Sequence, residues 1–252
     1  MTLEETLRDM AIHLPEGISE GVALGTGLAD GYLVTESPIG NVAVSFNTRG
    51  VSSVDLADPG FATRFQARHG RTLIAADMPA SWGRHLGPAL EAGQPGRLPV
   101  DLQSVTSFQQ TVLLETARIP KGQVRSYGWL ARRIDNPGAT RAVGTTMASN
   151  PVPLIIPCHR VVRADGHIGA YSLGGPHNKR VLLDAEGADT DFLEDLAERG
   201  VRFIGHRGTR VFCLPTCSRL EGVVAERTEE LRNPGQAEAR GYRACRVCRP
   251  LG

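Results

Sequence analysis

Cys158 and His159 are adjacent in the stretch NPVPLIIPCHRVVRADGHIGAYS, and a thiol beside an imidazole is the simplest pairing for a nucleophile. A free cysteine, with a pKa of ~8.5, is only a few per cent thiolate at neutral pH, so a reactive one needs a base or a positive neighbour. His159 is the base at hand. In an extended strand neighbouring side chains point to opposite faces, so the two can cooperate only where the backbone bends. Pro157 supplies the bend, and the apolar run Pro153 to Pro157 reads as a short buried segment that presents Cys158 at its end. On its own the dipeptide fits a buried, inert cysteine as well as a nucleophile.

The other four cysteines form a second constellation. Cys213 and Cys217, then Cys245 and Cys248, make a C-x3-C and a C-x2-C pair with 27 residues between them. Two close pairs of thiolates satisfy tetrahedral zinc, and a segment of ~50 residues needs such a staple because its own apolar core is small.

The elements that must position these residues are legible as patterns. Leu3, Leu7, Met10, Ala11 and Leu14 share one face of a short amphipathic helix with an acidic start. The glycine-rich GVALGTGLADG after it lacks a GxxxxGK phosphate loop and reads as a connector. From Tyr32, apolar segments punctuated by Pro38-Ile39-Gly40 and Thr48-Arg49-Gly50 predict an antiparallel meander. Pro95 to Pro99 marks a boundary. Ser107 with Gln110 forms a capping box for a helix that Ile119-Pro120-Lys121-Gly122 ends. Tyr127, Leu130, Ala131 and Ile134 share the face of a second helix, Asp135 to Gly138 breaks it, and a third runs from about Thr140 to Ser149. The last two are either an ordinary helical hairpin or a helix-turn-helix.

From Phe108 to Glu186 the blocks IP-G, SYG-LA, RAVG, NP-P and IPCHRV occur in order, and this stretch resembles the O6-alkylguanine-DNA alkyltransferases. The resemblance implies an α+β chain with a small sheet-and-helix N-terminal domain and a winged helix-turn-helix-like alkyltransferase domain that enters the DNA minor groove. It implies that Cys158 takes the alkyl group from O6-alkylguanine, and from O4-alkylthymine, once and irreversibly, after the base is flipped out of the stack. His159 and Glu186 would activate the thiol through water, Asn150 would brace the backbone, and Tyr127 would lie against the phosphate of the flipped nucleotide and donate a proton. Arg141 would fill the vacated stack, with Thr140, Ala142 and Arg160 also at DNA. Tyr171, Ser172, Gly169 and Val161 would line the pocket. One departure stands out: the loop reads YSLGG, with Leu173 where the family pattern moves directly to glycine, which bears on pocket width.

FCLPTC and GYRACRVCRP resemble the zinc domain of the adaptive-response protein Ada, which here follows the alkyltransferase region instead of preceding it. That resemblance implies one zinc ion on Cys213, Cys217, Cys245 and Cys248, DNA docking, and methyl acceptance from phosphotriesters by Cys213. Leu214 stands where the motif has an arginine after the acceptor.

The expected parts are residues 1–100, 101–187, an acidic spacer at 188–198 and a zinc-binding part at 199–252. Their formal charges are −4, +4, −5 and +6, within a chain of 252 residues and net charge +1, and the two basic parts suit a polyanion. With no run of the ~18 apolar residues that span a bilayer and an acidic start, MTLEETLRDM, the expectation is a cytoplasmic protein without membrane contact; the resemblance implies a monomer whose partner is double-stranded DNA carrying alkylated bases. No organic cofactor is expected. Three rivals remain at this point: a non-catalytic damage-sensing DNA-binding protein, against which an acceptor cysteine speaks; a cysteine hydrolase, for which no oxyanion hole is marked; and a zinc-dependent DNA-binding regulator.

Overall fold

The computed structural model describes residues 18–252, so the helix expected over residues 3 to 14 lies outside the described residues. The glycine-rich stretch expected to be a connector is helical at its start. Helix α1 (Ile18–Thr26) tolerates two glycines because its end is tied directly to the first strand, with Leu28 N donating to Ala23 O at 2.9 Å and Gly27 taking φ 74°.

The meander forms as expected. Strands β1 (Ala29–Thr35), β2 (Val42–Asn47) and β3 (Gly50–Leu56) pair antiparallel, and β4 (Thr72–Ala75) adds to β1 in parallel, giving the order β3-β2-β1-β4. Helix α2 (Phe61–His69) makes the crossover to β4. Every residue of β2 is buried, because the sheet is covered on both faces: Val42, Val44 and Phe46 enter the main core while Ala43 meets Phe61 and Phe65 of α2.

Helices α3 (Ala80–Ala92) and α4 (Ser107–Thr116) follow. The capping box at α4 sits one residue earlier than the sequence suggested: Thr106 accepts from Gln109 N, and the Gln109 side chain accepts from Thr106 N. The two-residue strand β5 (Arg125–Ser126) leads into α5 (Tyr127–Arg133), capped by the Ser126 hydroxyl accepting from Trp129 N at 3.1 Å. After the Asp135–Gly138 break comes α6 (Thr140–Ala148). The buried run before the cysteine is built of turns, and Cys158–Arg160 form a single 3-10 turn that hands over to β6 (Val161–Val162), paired in parallel with β5. Helix α7 (Gly175–Ala185) returns to the site.

One continuous core joins the first sheet (Val44, Val54) to α3 (Leu86), α4 (Leu113), α5 (Leu130), α6 (Val143, Met147) and the cysteine segment (Ile155, Ile156, Cys158), crossing the boundary expected near Pro95 to Pro99. The segment read as an acidic spacer is a packed helix, α8 (Thr190–Glu198). Asp189 caps it, Leu193 and Leu196 are buried, and Glu194 accepts from Ile168 N. Asp191, Asp195 and Glu198 lie on its outer face and its leucines on the inner one.

The C-terminal part is a sheet of very short strands, β7 (Phe203–His206), β8 (Val211–Cys213), β9 (Thr228–Leu231) and β10 (Arg243–Ala244), in the order β10-β8-β7-β9, with α9 (Pro234–Ala239) between the last two. Its apolar centre is small: Phe212, Leu231, Ala237 and Tyr242 form one cluster, Val201 and Ile204 pack with Leu196 of α8, and Val211 lies with the cysteines. No described helix is long and apolar enough to cross a membrane.

Candidate active site and thiolate cluster

Cys158 is 3% exposed and sits where three elements converge. Asn150, at the end of α6, donates from Nδ2 to Ile156 O at 2.9 Å and to Cys158 Sγ at 3.2 Å, and its Oδ1 accepts from Val152 N. One amide thus fixes the turn and touches the sulphur. Burial raises the thiol pKa above its ordinary value, opposed by the Asn150 hydrogen bond and the charge of Lys179. The resting group is therefore a thiol.

Behind it, His159 Nε2 lies 2.9 Å from Glu186 Oε1, and its Nδ1 is buried without a hydrogen-bond partner among the described residues. Burial lowers the His159 pKa even though Glu186 pulls it up, so the imidazole is neutral at rest. Glu186 is opposite in sense. Burial pushes it up, but hydrogen bonds from His159 and Arg160 outweigh that and hold it at about 2. Gly122 N adds a further donor at 3.2 Å. Gly122 has φ 73°, and a Cβ there would stand 2.9 Å from Glu186 O, so this tight approach requires glycine.

A cavity of about 310 Å³ opens in front of the sulphur, lined by Tyr127, Gly144, Met147, Ala148, Cys158, Ala170, Tyr171 and Ser172. Burial raises the pKa of both tyrosines, which keeps them protonated at neutral pH. The Tyr171 hydroxyl is buried beside the Cys158 thiol, with no other hydrogen-bond partner among the described residues. The inserted Leu173 turns away from this cavity into the main core, and the bend it needs is taken by Gly174 at φ 82°. Arg141, Ala142, Thr145 and Ala148 form the exposed face of α6, with Thr140 at its start, while Val143, Thr146 and Met147 face inward.

Three expectations need correcting. Arg160, expected at DNA, is fully buried: its guanidinium donates to Glu186, to Ile119 O at 2.6 Å and to Ala92 O at 2.8 Å, bracing the carboxylate from α3 and the α4–β5 loop. Val161 and Gly169 do not line the cavity; Val161 is a core residue of β6, and Gly169 turns the loop against Arg163. Sequence reasoning also missed Lys179. It is buried, its Nζ donates to Val161 O, Ile168 O and Ala170 O at 2.6 to 3.3 Å, and burial lowers its pKa to about 8, which leaves it charged at neutral pH. The available signal was one of the chain's two lysines sharing a helical face with Leu182, Leu183 and Glu186 in a sequence that otherwise uses arginine.

In the C-terminal part, the sulphurs of Cys213, Cys217, Cys245 and Cys248 all lie within 4.8 Å of one another and are at most 2% exposed. Backbone amides point at them: Leu214 N donates to Cys248 Sγ at 3.4 Å and Val247 N to Cys245 Sγ at 3.3 Å. Four sulphurs at this spacing fit a tetrahedral zinc ion, whose ligands stand ~2.3 Å from the metal. A cavity of about 510 Å³ away from the Cys158 sulphur is the cleft between α5, α8 and the C-terminal part.

A buried cysteine backed by a histidine–glutamate pair, packed against two short helices, together with a separate four-thiolate cluster, defines a cysteine-centred protein with a metal-binding appendage. Residues 107–188 match the family model described as 6-O-methylguanine DNA methyltransferase, DNA binding domain, and residues 194–250 match the metal binding domain of Ada. The methylated-DNA–protein-cysteine methyltransferase of Methanosarcina acetivorans is 34% identical over 167 residues, covering 62% of this chain and 98% of the relative. The Ada protein of Escherichia coli is 33% identical over 164 residues, 63% of this chain and 46% of the relative. The rat methyltransferase is 48% identical over 100 residues, 39% of this chain, and the match spans 46% of its length, under half. Among solved structures, the Mycobacterium tuberculosis OGT in complex with DNA aligns with a TM-score of 0.50 at 32% identity, covering 65% of this chain and 98% of that one. The chain belongs to the methylated-DNA–protein-cysteine methyltransferase family.

Proposed function

We propose that this protein repairs DNA by moving the alkyl group of O6-alkylguanine, and of O4-alkylthymine, irreversibly onto Cys158. The observation that carries the reading is the chain of contacts from Cys158 through Asn150 on one side and from His159 to Glu186 and Arg160 on the other, with a cavity at the sulphur. The base enters from the α6 side, where Arg141 takes its place in the stack and the small residues of α6 allow close approach to the minor groove. His159, neutral at rest and oriented by Glu186, takes the thiol proton through a water at Nδ1. Sγ then forms a bond to the alkyl carbon as the C–O6 bond breaks; guanine leaves with that electron pair and takes a proton from the Tyr127 hydroxyl, which the proton held by His159 replaces. Nothing in the site offers a route to break the thioether, so each chain acts once.

The same reading makes the protein a cytoplasmic monomer that binds double-stranded DNA through the parts at 101–187 and 199–252, the latter holding one zinc ion. Methyl acceptance by Cys213 is the finer step with the least support: Leu214, at the place of the motif's arginine, packs against the main core instead of offering a cation to phosphate. The test is incubation with duplex DNA carrying labelled O6-methylguanine. Label should plateau at about one methyl per chain and vanish in Cys158→Ala; continued turnover or an unreduced plateau would overturn the reading.

A further inference from the structure

Arg125 stands between the two cysteine centres. It is 4% exposed, and its guanidinium lies 5.3 Å from the centroid of the Trp129 ring. Two of its nitrogens are used locally, on Val124 O and on Gln123 Oε1, which together supply no full negative charge. Its Nε is buried without a partner among the described residues. No carboxylate pairs with it among the described residues; burial pulls its pKa down, and the sulphurs of Cys248, Cys217 and Cys245 oppose that through their charge. A cation this deeply buried needs a counter-charge within the protein.

The backbone around Arg125 is fastened to the same cluster. Val124 N donates to Thr216 Oγ1 at 2.9 Å, next to Cys217. Trp129 Nε1 donates to Arg249 O at 2.7 Å, next to Cys248, and Arg132 Nε donates to Leu251 O. On its other side Arg125 pairs in β5 with Val161, the residue after the Cys158–Arg160 turn, and β5 runs straight into Tyr127.

We infer that Arg125 is the counter-charge of the four-thiolate metal centre and the link through which that centre holds β5 and α5 in place. Zn2+ with four thiolates carries a net charge of about −2, by simple addition of ligand and metal charges, and a buried guanidinium on the segment hydrogen-bonded to the cysteine loops offsets part of it. The C-terminal part then serves as a buttress for the helix-turn-helix. With the metal gone, the cluster loses its fixed geometry, and the loops that accept from Val124 N and Trp129 Nε1 come free. This inference rests on zinc occupying the cluster and not on alkyl transfer at Cys158.

Two measurements on the full-length, zinc-loaded chain test it, and neither reads alkyl transfer. The first is zinc release to a chromophoric chelator. Arg125→Met should weaken zinc retention roughly 10–100-fold, the range seen when groups that support metal ligands are removed. Arg125→Lys should recover part of the loss by restoring charge without the planar fork. Arg210→Met, which removes an arginine that lies over Tyr242 in the same part of the chain, should release zinc at the parent rate. The second is amide hydrogen exchange on the unsubstituted protein before and after zinc removal. Residues 124 to 133 should lose protection together with the cysteine loops, while β1 to β3 keep theirs. Unchanged protection over 124 to 133 after zinc removal, or parent-like release from Arg125→Met, would overturn the inference.

Discussion

Cys158 and the four C-terminal cysteines are all buried, yet their surroundings differ in kind. Around Cys158 the neighbours are polar side chains with separate tasks: Asn150 on the sulphur, Lys179 beneath it, His159 and Glu186 behind it, and an open cavity in front. Around Cys213, Cys217, Cys245 and Cys248 the closest polar groups are one another and backbone amides. The first arrangement leaves one sulphur facing a space for a substrate. The second turns four sulphurs inward on a common point. Burial alone therefore does not separate a reactive cysteine from a structural one; what faces the sulphur does.

The largest expected effect on this contrast comes from Glu186. Glu186→Gln removes the charge that orients His159 and leaves Arg160, fully buried, without its carboxylate. Breaking such a pair costs about 3–5 kcal/mol, and a His159 no longer oriented by a carboxylate loses up to the roughly 10²–10⁴ that a general base contributes. The methyl-transfer rate should fall that far while zinc content stays at the parent value. An equal loss of zinc would mean that the two centres are not separate.

A smaller and more selective effect is expected at Arg141. Arg141→Ala should slow repair in duplex DNA far more than transfer from free O6-benzylguanine, because the free base has no stack to leave. The comparison of the two substrates, measured as single-turnover rates, separates extrusion from pocket chemistry. Equal losses on both would place Arg141 in the pocket, against its exposed position on α6.

The smallest effect is a pH dependence of stability that originates at the Cys158 site. His159 has a folded pKa below its ordinary 6.5, so its contribution is complete above pH 6.5 and drains away as pH falls. Glu186, held at about 2 against an ordinary 4.5, adds a second loss as pH falls from 4.5 toward 2. Urea midpoints should therefore begin to drop below pH 6.5 and drop further in the more acidic window. In His159→Gln the loss just below pH 6.5 should shrink; an unchanged profile would assign it to another group, His69 being the next with a lowered value, about 4.

Much of this division was legible in the sequence, for physical reasons. The pairing of Cys158 with His159, the helix break at Asp135 to Gly138, the meander turns and the two cysteine pairs are local features, set by residue type and spacing. What the sequence hid depends on long-range contact. Arg160 looks like a surface arginine beside a nucleophile, and only the convergence of α3, the α4–β5 loop and Glu186 buries it. Lys179 was hidden because its acceptors are backbone carbonyls, which carry no sequence signature. The acidic run at 188–198 has a solvated face that its composition reports and a packed leucine face that it does not. Leu173 raised a question of pocket width that the fold answers by turning its side chain into the core.

The most direct test of the contrast between the two centres is a single mapping experiment. Zinc-loaded protein is incubated to completion with duplex DNA that carries both O6-methylguanine and a methylphosphotriester of defined stereochemistry, then digested and mapped by mass. The arrangement of the two sites predicts one methyl group on the peptide containing Cys158 and none on those containing Cys213, Cys217, Cys245 or Cys248. A methyl group on Cys213, or an unmodified Cys158, would contradict it.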